Sequence, residues 1–427
     1  MKLRGKDTGY WFVLTGITAL YLGVIALIIR ADIPRSILVR HLEGGEYIEY
    51  LHEGRSSTVW ISHDRHGLRK VWINNLWISS TSKEVAHELL AHYPILFHGS
   101  THKVAGIGFG SGRTFGACLL YPVESMVSVE IDEGVITAVK GRFSEENFGI
   151  FGDPRNSLII DDGRFFLGGT KEKFDIITME PSQPFLSGMV NLYSREFYEM
   201  CRNALNPGGI AAQWIPLDMC GYEGTWSMIR TFAEAFESVL LFQNGDDAIL
   251  LGSDSEMVIN PSHPIPGRAI MNMAATGYGD IYALAGNFVC SRDILRRASV
   301  SFPVITDDMP ITEFTAPFVH GKGNVSLRIR HQLHDFRESV DVLFRNPADL
   351  DRAHLFSSSR TLIDEGLIEE QEGNIDSARN VFLKAYCENP EDTIAVHLLF
   401  MFLRRHNRLY ELPEELHYLL EPLRKQR

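Results

Sequence analysis

Cysteine, excess positive charge and spaced metal ligands are all scarce in this chain. The five cysteines stand far apart without a CxxC pair, at Cys118, Cys201, Cys220, Cys290 and Cys387. Neither a zinc site nor a disulfide framework is indicated, and we interpret these residues as buried thiols. Lys and Arg number 41 against 54 Asp and Glu, a net charge of −13, which disfavours nucleic acid as a partner. The histidines form no spaced ligand set, so we predict no metal.

Long hydrophobic runs are also rare, and the single clear one lies near the N-terminus. Residues 10–29 (YWFVLTGITALYLGVIALII) are free of charge, and about twenty such residues match the hydrocarbon core of a bilayer. A cleaved signal peptide is the rival interpretation, but no A-x-A cleavage site follows, so we expect a retained anchor, residues 1–30. Basic residues flank the run on both sides and leave its orientation undecided.

The 427 residues suffice for two or three domains. Short alternating segments predict a small antiparallel β subdomain at residues 42–81, followed by a helix at residues 82–98. Apolar strand-like runs then alternate with helical stretches from residue 103 to about residue 252, the runs being KVAGIG, MVSVEID, SLIIDD, FDIITME, GIAAQWI and SVLLFQ. This pattern is typical of a doubly wound α/β domain, which we delimit at residues 82–320.

A helical tail is predicted for residues 325–427. Within it, five residues are spaced as in one tetratricopeptide helix pair: Gly373, Ala378, Phe382, Ala385 and Pro390. An ordinary helical hairpin is equally compatible with this segment. One repeat cannot bury its own faces, so we expect the tail to pack on the α/β body or on a protein partner.

The most informative segment is VAGIGFGSGRTFGACLLYPVESMVSVEID, residues 104–132. It predicts a strand, a glycine loop, a helix and a second strand that ends in Glu130. Glycines allow close approach to a ligand, here at Gly106, Gly108, Gly110 and Gly112, and an acidic residue at the second strand end can accept both ribose hydroxyls. A nucleoside site is therefore indicated.

The kind of nucleoside can be narrowed. The spacing is GxGxGxG rather than the dinucleotide GxGxxG, and no phosphate-binding Lys follows. An adenosyl-sulfonium ligand fits better. A third strand supplies Asp161 and Asp162, of which a carboxylate could accept the adenine amino group. Solvated loop carboxylates are the alternative, more so for Asp161 than for Asp162.

Several ordered motifs together carry a family resemblance. They are GIGFGSG, PVESMVSVEID, DDGRFFL, the long segment FDIITMEPSQPFLSGMVNLYSREFYEMCRNALNPGGIAAQWIP, and TDDMPITEF. With these, the chain resembles the spermidine synthase (polyamine aminopropyltransferase) family, specifically its bacterial membrane-linked branch. The resemblance implies a Rossmann-like methyltransferase fold after a small β subdomain, and a homodimer. It also implies decarboxylated S-adenosylmethionine as co-substrate, without a tightly bound cofactor, and release of methylthioadenosine.

The resemblance also implies roles for single residues. Glu130 would hold the ribose and Asp162 the adenine edge, while Gly108, Gly110 and Ser111 would line the aminopropyl side. His87 and Glu88 match the His-Glu pair that precedes the glycine loop in the family.

Aminopropyl transfer needs a neutral amine held in line with the carbon beside the sulfonium, so acidic residues should bind the amine and accept its proton. The family's Asp-Ser-Ser-Asp-Pro reads Glu-Pro-Ser-Gln-Pro here, at residues 180–184. Glu180 can still serve as the base, and Gln183 can hydrogen-bond an amine without neutralising an ammonium. Tyr193, Asp307 and Asp308 are candidates to replace the lost polar contacts.

Three functions follow from these residues. The first is membrane-anchored aminopropyl transfer to an amine, with Glu180 as base. The second is a catalytically degenerate scaffold of a membrane complex, which the missing acids favour. The third is S-adenosylmethionine-dependent methyl transfer, because Ser111 would not repel an intact carboxylate. We expect the inner membrane as location, with the folded body on the cytoplasmic side, where the co-substrate is made.

Overall fold

The computed structural model describes residues 44–54, 57–82, 84–319 and 325–421, and the single positions 18, 21 and 42. The predicted span at residues 10–29 lies outside the described residues apart from Thr18 and Tyr21, so it stays a prediction. Among the described residues, no helix combines the length and apolar character that a membrane crossing needs. The chain divides into two compact units, residues 1–82 and 83–427. The four domain boundaries drawn from the sequence stay predictions.

The first unit contains the predicted antiparallel sheet. Its strands are β1 (Tyr47–Glu53), β2 (Thr58–His63), β3 (Arg69–Ile73) and β4 (Leu76–Ser80), paired in chain order. Asn74 and Asn75 connect β3 to β4 with φ of 49° and 65°, the left-handed conformation of a tight two-residue hairpin turn. Trp60 is buried and stacks on Trp72 at 4.7 Å between ring centroids. Trp77 is 51% exposed on the edge strand β4.

The second unit begins with the elements that build the nucleoside half of the sheet. In chain order they are α1 (Val85–His98), β5 (Lys103–Ile107), α2 (Arg113–Cys118), β6 (Ser125–Glu130), α3 (Glu133–Val139), β7 (Asn156–Ile160), α4 (Gly163–Gly169) and β8 (Phe174–Met179). All four strands lie where the sequence predicted them. Helix α1 also confirms the predicted helix, with a start three residues later.

The chain continues with the other half of the sheet and its covering helices. These are α5 (Arg195–Ala204), β9 (Leu205–Pro216), α6 (Gly221–Ala235), β10 (Ser238–Asn244), β11 (Asp247–Ser253), α7 (Gly267–Ala275), α8 (Ile281–Ala285), β12 (Phe288–Ser291), α9 (Arg292–Ser299) and α10 (Ile311–Val319). Strands β9 and β10 were predicted, whereas β11 and β12 were not.

The eight strands form one mixed sheet in the order β12-β10-β11-β9-β8-β5-β6-β7. Strands β9, β8, β5, β6 and β7 are parallel, and β11, β10 and β12 extend the sheet antiparallel. The doubly wound, Rossmann-like prediction is therefore confirmed. The strand order reverses at β5: from β5 the chain continues to β6 and β7 on one side of it, and then to β8 and β9 on the other side. Open α/β sheets bind ligands outside the strand ends at such a switch point.

The core of this unit explains why its strands read as nearly continuous apolar runs. Val104, Ala105 and Ile107 of β5 are at most 2% exposed, because helices cover both faces of a parallel sheet. On one face, Trp226 and Phe232 of α6 lie in the same buried cluster as these strands. Of the five cysteines four are buried, but Cys387 is exposed, so the prediction of buried thiols is wrong there.

The tail of the described chain is helical, as predicted. It contains α11 (Val325–Asp335), α12 (Leu350–Glu372), α13 (Ile375–Glu388) and α14 (Thr393–Arg405). Gly373 ends α12 in the left-handed conformation, φ 86°, and Ala378, Phe382 and Ala385 of α13 are buried. The predicted helix pair is thus present, while its tetratricopeptide character stays a prediction.

Candidate active site

The glycine loop after β5 runs along the carboxyl-terminal edge of the sheet. The Gly108 N–H donates to the carbonyl of Val129 at 3.0 Å, which ties the loop to β6. Gly108 has φ of +84°, and a Cβ added there would lie 2.7 Å from the carbonyl oxygen of Glu180. Glycine is therefore required where the loop passes the end of β8.

Glu130, the last residue of β6, holds this loop in place. Its Oε2 accepts hydrogen bonds from the N–H groups of Phe109 (3.0 Å) and Gly110 (3.4 Å), and its Oε1 accepts from the Asp132 N–H (3.1 Å). Burial raises the pKa of Glu130, and the three backbone donors oppose that shift. The carboxylate thus has a loop-fixing role that sequence reasoning missed, in addition to the ribose contact predicted for it.

Two other residues of the predicted cofactor set serve packing in this structure. Gly106 lies inside β5, where a Cβ would come within 2.4 Å of the Phe115 ring of α2. Ser111 is 3% exposed, and its carbonyl accepts a hydrogen bond from Asn147 Nδ2 at 3.3 Å. Their ligand contacts stay predictions, because each position already has a structural reason.

Asp161 and Asp162 follow β7 and are both exposed. Asp162 Oδ1 accepts from the N–H groups of Arg164 (2.8 Å) and Phe165 (3.1 Å) and so caps α4. Ile131, directly after β6, and Phe165, in the first turn of α4 after the neighbouring strand β7, are 53% and 79% exposed. Exposed apolar side chains at neighbouring strand ends suit the faces of a nucleobase.

Glu180 follows β8, and its carboxylate is engaged on both oxygens. Thr114 Oγ1 of α2 lies 2.6 Å from Oε2, and His87 Nδ1 of α1 forms an ion pair with Oε1. The other ring nitrogen of His87 lies 3.2 Å from Glu84 Oε2. The imidazole of His87 therefore lies between two carboxylates, Glu84 and Glu180, at the carboxyl end of β8.

This arrangement keeps His87 positively charged. Burial alone would favour the neutral ring, but Glu180 and Glu84 outweigh it and raise the pKa of His87 to about 10. The family resemblance also places His87 among the cofactor-binding residues, a role that stays a prediction. The structure brings it to Glu180, the predicted base.

Glu88, the neighbour of His87, belongs to a different network. Its Oε1 pairs with Arg113 Nη1 at 2.9 Å, and its Oε2 accepts from Asn272 Nδ2 at 2.9 Å. Arg113 is the first residue of α2, directly behind the glycine loop. Successive helical residues point in different directions. His87 therefore contacts Glu180, while Glu88 contacts Arg113 behind the glycine loop.

Several buried oxygen atoms near Glu180 have no hydrogen-bond partner among the described residues. They belong to Ser182, Gln183, Tyr193 and Gln213. Burial raises the pKa of Tyr193 well above its ordinary value, and Glu180 adds to this, while a hydrogen bond with the Gln213 side chain acts in the opposite direction. Gln183 Oε1 thus presents an unsatisfied acceptor, which a ligand with N–H groups would satisfy.

Asp247 is a site residue that sequence reasoning missed. It begins β11, and Trp214 Nε1 of β9 donates to its Oδ1 at 2.8 Å. Burial raises the pKa of Asp247 to about 6; the indole and His87 lower it, and Asp218 and Glu180 raise it. The available signal was an aspartate directly after a glycine turn and before an apolar run, but its significance depends on β11, which was not predicted.

Asp307 has structural partners in this fold, and the polar contacts considered for Asp307 and Asp308 stay predictions. Asp307 Oδ2 lies 2.5 Å from Arg164 Nη2, and its Oδ1 accepts from Ser194 Oγ at 2.7 Å. Both aspartates are exposed. The Asp307 carboxylate therefore ties the α4 and α5 starts to the following loop.

Within the part of the chain that the structure describes, no three His, Cys, Asp or Glu side chains form a group that could hold a metal ion. The expectation of a metal-free site stays a prediction.

Known proteins are similar to part of this chain. Residues 83–214 match the family model described as "Spermine/spermidine synthase domain". Polyamine aminopropyltransferase 1 of Pseudomonas aeruginosa is 41% identical over 127 residues, 30% of this chain and 44% of that protein. Polyamine aminopropyltransferase of Klebsiella pneumoniae is 33% identical over 187 residues, 42% of this chain and 65% of that protein. The chain thus spans between about half and two thirds of these curated relatives.

A solved structure, a probable spermidine synthase from Corynebacterium glutamicum, is also similar. It shares 20% identity, with 61% of this chain and 97% of that chain covered and a TM-score of 0.45.

Proposed function

Because residues 83–214 belong to the spermine/spermidine synthase domain family, we propose that this chain transfers an aminopropyl group from decarboxylated S-adenosylmethionine to an amine. Glu130 and the glycine loop bind the nucleoside, and Glu180 orients the acceptor amine. The reaction is a displacement at the carbon beside the sulfonium. The part of the site that differs from the family motif is the acceptor-binding segment, residues 180–184.

The bonds of the reaction balance without a further reactant. The nitrogen lone pair of the neutral acceptor forms a bond to the aminopropyl carbon, and the carbon–sulfur bond breaks. Sulfur keeps that electron pair and leaves as the neutral thioether methylthioadenosine. The ammonium formed loses one proton, which Glu180 accepts and passes to water.

One observation carries this proposal: Glu130 and Glu180 lie at the carboxyl ends of the two strands that flank β5 and its glycine loop. Glu130 ends β6, Glu180 follows β8, and β5 with Gly108 lies between them. A carboxylate for the ribose and a carboxylate for the amine thus flank the switch point of the sheet. The charged His87 lies against the Glu180 carboxylate.

Calorimetric titration of the full chain with decarboxylated S-adenosylmethionine, S-adenosylmethionine and methylthioadenosine tests the proposal. We expect the decarboxylated form and methylthioadenosine to bind, and Glu130→Gln to weaken both by roughly tenfold or more, since hydrogen bonds to a charged group contribute about 1.5–3 kcal/mol. Glu145→Gln makes the same change at an exposed site and should bind as the wild type does.

The other outcomes separate the alternative functions. Preference for S-adenosylmethionine over its decarboxylated form would replace aminopropyl transfer with methyl transfer. If none of the three ligands binds, both enzymatic functions are excluded and a scaffold remains.

We also propose a membrane location with the folded body on the cytoplasmic side. The uncharged run at residues 10–29 supports an anchor by its length, and the need for an intracellular nucleoside supports the orientation. Reporter fusions after residue 427 test this directly. Activity of a reporter that works only in the periplasm would overturn the orientation.

A further inference from the structure

A buried polar network lies behind the glycine loop and takes no part in the steps assigned to Glu130 and Glu180. Its centre is the Glu88 carboxylate of α1. Arg113 Nη1 donates to Glu88 Oε1 at 2.9 Å, and Asn272 Nδ2 donates to Glu88 Oε2 at 2.9 Å. The Arg113 and Glu88 side chains are 6% and 5% exposed. Both charged groups therefore lie away from solvent, where a hydrogen bond is electrostatically stronger than in water.

Arg113 is the point at which this network meets the nucleoside site. It is the first residue of α2 and follows Gly112, which closes the glycine loop with φ of +81°. The other part of the loop is held by Glu130, whose carboxylate accepts from the N–H groups of Phe109 and Gly110. The loop is thus held to β6 on one side and to α1 on the other. A displacement of Arg113 would move the end of the loop relative to Glu130.

Asn272 of α7 joins Glu88 to a second residue of α1. Its Oδ1 lies 2.7 Å from His92 Nε2, and Glu88 and His92, four positions apart, share one face of the helix. His92 is fully buried, and its Nδ1 lies 2.8 Å from the Tyr121 hydroxyl. Burial lowers the pKa of His92 to about 4, while the hydrogen bond with Asn272 acts in the opposite direction. The imidazole is therefore neutral at physiological pH.

The chemistry of the partners fixes the direction of each hydrogen bond in this row. A carboxylate paired with a guanidinium offers acceptors only, so Asn272 must present its Nδ2 to Glu88 and its Oδ1 to His92. Because Oδ1 cannot donate, the neutral imidazole carries its proton on Nε2, and its Nδ1 accepts from the Tyr121 hydroxyl. An amide is therefore required at position 272, since it donates on one side and accepts on the other.

Helix α7 brings this amide to α1 from a later part of the chain. The helix lies after the segment 83–214 that matches the family model. Its residues Ala269 and Met273 are buried, and Met273 Sδ lies 3.9 Å from the Tyr121 hydroxyl. A thioether is only a weak acceptor, so this contact leaves the Tyr121 proton to His92. The buried residues of α7 thus hold Asn272 against α1.

We propose that Asn272 is a positioning residue of the nucleoside site: its amide orients Glu88, which holds Arg113 at the end of the glycine loop. This inference rests on the proposed function and deepens it. It makes nucleoside affinity depend on a helix outside the family segment. The role is indirect, because Asn272 acts through Glu88 and Arg113.

Calorimetric titration of the full chain with methylthioadenosine tests this role at pH 8. Asn272→Leu removes both the donor and the acceptor at similar volume. Asn272→Asp keeps the shape but replaces the donor with a second carboxylate beside Glu88. We expect both variants to bind at least about fivefold more weakly than the wild type, the lower end of the coupling typical of linked sites.

The pH profile of Asn272→Asp separates positioning from a merely structural role. The groups that face position 272 are Glu88 and His92 of α1, Arg113 of α2 and Tyr121 after α2. Two carboxylates at this distance favour the uptake of one proton, and the proton restores a donor or removes the repulsion. The affinity of Asn272→Asp relative to the wild type should therefore rise as the pH falls from 8 to 5.5. Asn272→Leu should stay equally weak relative to the wild type at both values.

Asn206→Asp is the matched control. Asn206 Nδ2 donates to Asp175 Oδ1 at 2.7 Å, near the start of β8 and so at the opposite edge of the sheet from the glycine loop. The substitution makes the same chemical change beside a carboxylate, and it should leave methylthioadenosine affinity unchanged. The melting temperature of every variant is recorded, so that a misfolded protein is recognised.

Nitrogen NMR of the chain with 15N-labelled histidine tests the direction of the hydrogen bonds. The His92→Gln variant assigns the His92 signals. We expect a neutral ring with its proton on Nε2 between pH 6 and 8. A proton on Nδ1 would mean that Asn272 turns its Oδ1 toward Glu88, and it would overturn the inference.

Three affinity results would also overturn the inference while the proposed function stands. They are wild-type affinity in both Asn272 variants, a loss in Asn272→Asp that is the same at pH 8 and 5.5, and an equal loss in Asn206→Asp. If the wild type fails to bind methylthioadenosine, the proposed function fails instead. The same titrations therefore distinguish the two failures.

Discussion

His87 illustrates how one side chain sets the charge of the site. Its imidazole lies between Glu84 and Glu180, and these carboxylates raise its pKa to about 10 against the burial that lowers it. Glu180 thus faces a permanent cation at neutral pH. An amine that approaches Glu180 must share the carboxylate with this imidazolium.

The His87 pair predicts a pH-dependent stability. Because the folded pKa exceeds the unfolded value of 6.5, the stabilisation is complete below about pH 6.5 and is lost progressively as the pH rises to about 10. Urea unfolding of the wild type and His87→Gln should differ by about 2–4 kcal/mol at pH 6.5 and converge near pH 10.

His331→Gln is the matched control, because its imidazole pairs with Glu372 while 46% exposed. It should differ from the wild type by less than about 1 kcal/mol. A difference between wild type and His87→Gln that is constant from pH 6.5 to 10 would contradict the assigned charge.

For Asp247 we expect the substitution to stabilise the protein, whereas His87→Gln destabilises it. The pKa of Asp247 is raised from 3.8 to about 6, chiefly by burial, so the ionised carboxylate costs stability above pH 6. Asp247→Asn can keep the Trp214 hydrogen bond and should raise the free energy of unfolding by about 1–3 kcal/mol at pH 7. The gain should vanish near pH 4, and a loss of stability at pH 7 would show that a cation already pairs with Asp247.

Sequence patterns identified Glu130 and Glu180 because each comes at the end of an apolar, strand-like run. Such a position can be recognised from the linear sequence without knowledge of the fold. The patterns did not identify the contact of His87 with Glu180, which joins residues 93 positions apart through the packing of α1 on the sheet. The loop-fixing bonds of Glu130 were missed for a related reason. Backbone donors leave no mark in the amino-acid pattern.

Among the structural elements, the glycine loop has the least freedom to change. Gly108 combines φ of +84° with a Cβ position 2.7 Å from the Glu180 carbonyl oxygen. The loop therefore packs directly on the backbone that carries the proposed base. A shift of either segment moves the other.

Gly108→Ala should lower the stability by about 2–4 kcal/mol, more than the roughly 1–2 kcal/mol of a left-handed alanine, and weaken methylthioadenosine binding. Gly141→Ala is the control, since Gly141 has φ of +76° and open space around its Cβ position. Thermal unfolding and calorimetry compare the two. Equal losses of stability would mean that the close approach to Glu180 has no energetic consequence.

Strand prediction succeeded where apolar runs were separated by helical stretches and failed for β11 and β12. Strand β11 follows β10 after a two-residue turn, Gly245 and Asp246, so the two strands read as one apolar region interrupted by polar residues. β12 has only four residues and pairs with β10. Without β11 the sequence could not bring Asp247 to the site.

In the 83–427 unit, the helical tail contains a buried ion pair and also contacts the α/β body. Arg360 of α12 and Asp392 pair at 2.9 Å with side chains 4% and 0% exposed. Arg360 also lies over the Tyr278 ring at 5.3 Å, and Thr393 donates to the Gly277 carbonyl at 2.7 Å. The tail is thus part of the fold that carries the site.

Asp392→Ala should destabilise this unit by about 3–5 kcal/mol, because it leaves Arg360 buried without its partner. Asp376→Ala removes a partner of Arg408 at a side chain 78% exposed and should leave the stability nearly unchanged. Urea unfolding measures both. Similar small losses would show that Arg360 does not depend on Asp392 as its buried partner.

The direct test of aminopropyl transfer is a product assay. The full chain is incubated with decarboxylated S-adenosylmethionine and 1,5-diaminopentane, and the products are measured by mass spectrometry. The account predicts methylthioadenosine and an aminopropylated diamine in equal amounts, with Glu180→Gln reducing both by at least about 100-fold, as for loss of a general base. Unchanged substrates despite Glu130-dependent binding of the nucleoside, or methylthioadenosine without an aminopropylated product, would contradict it.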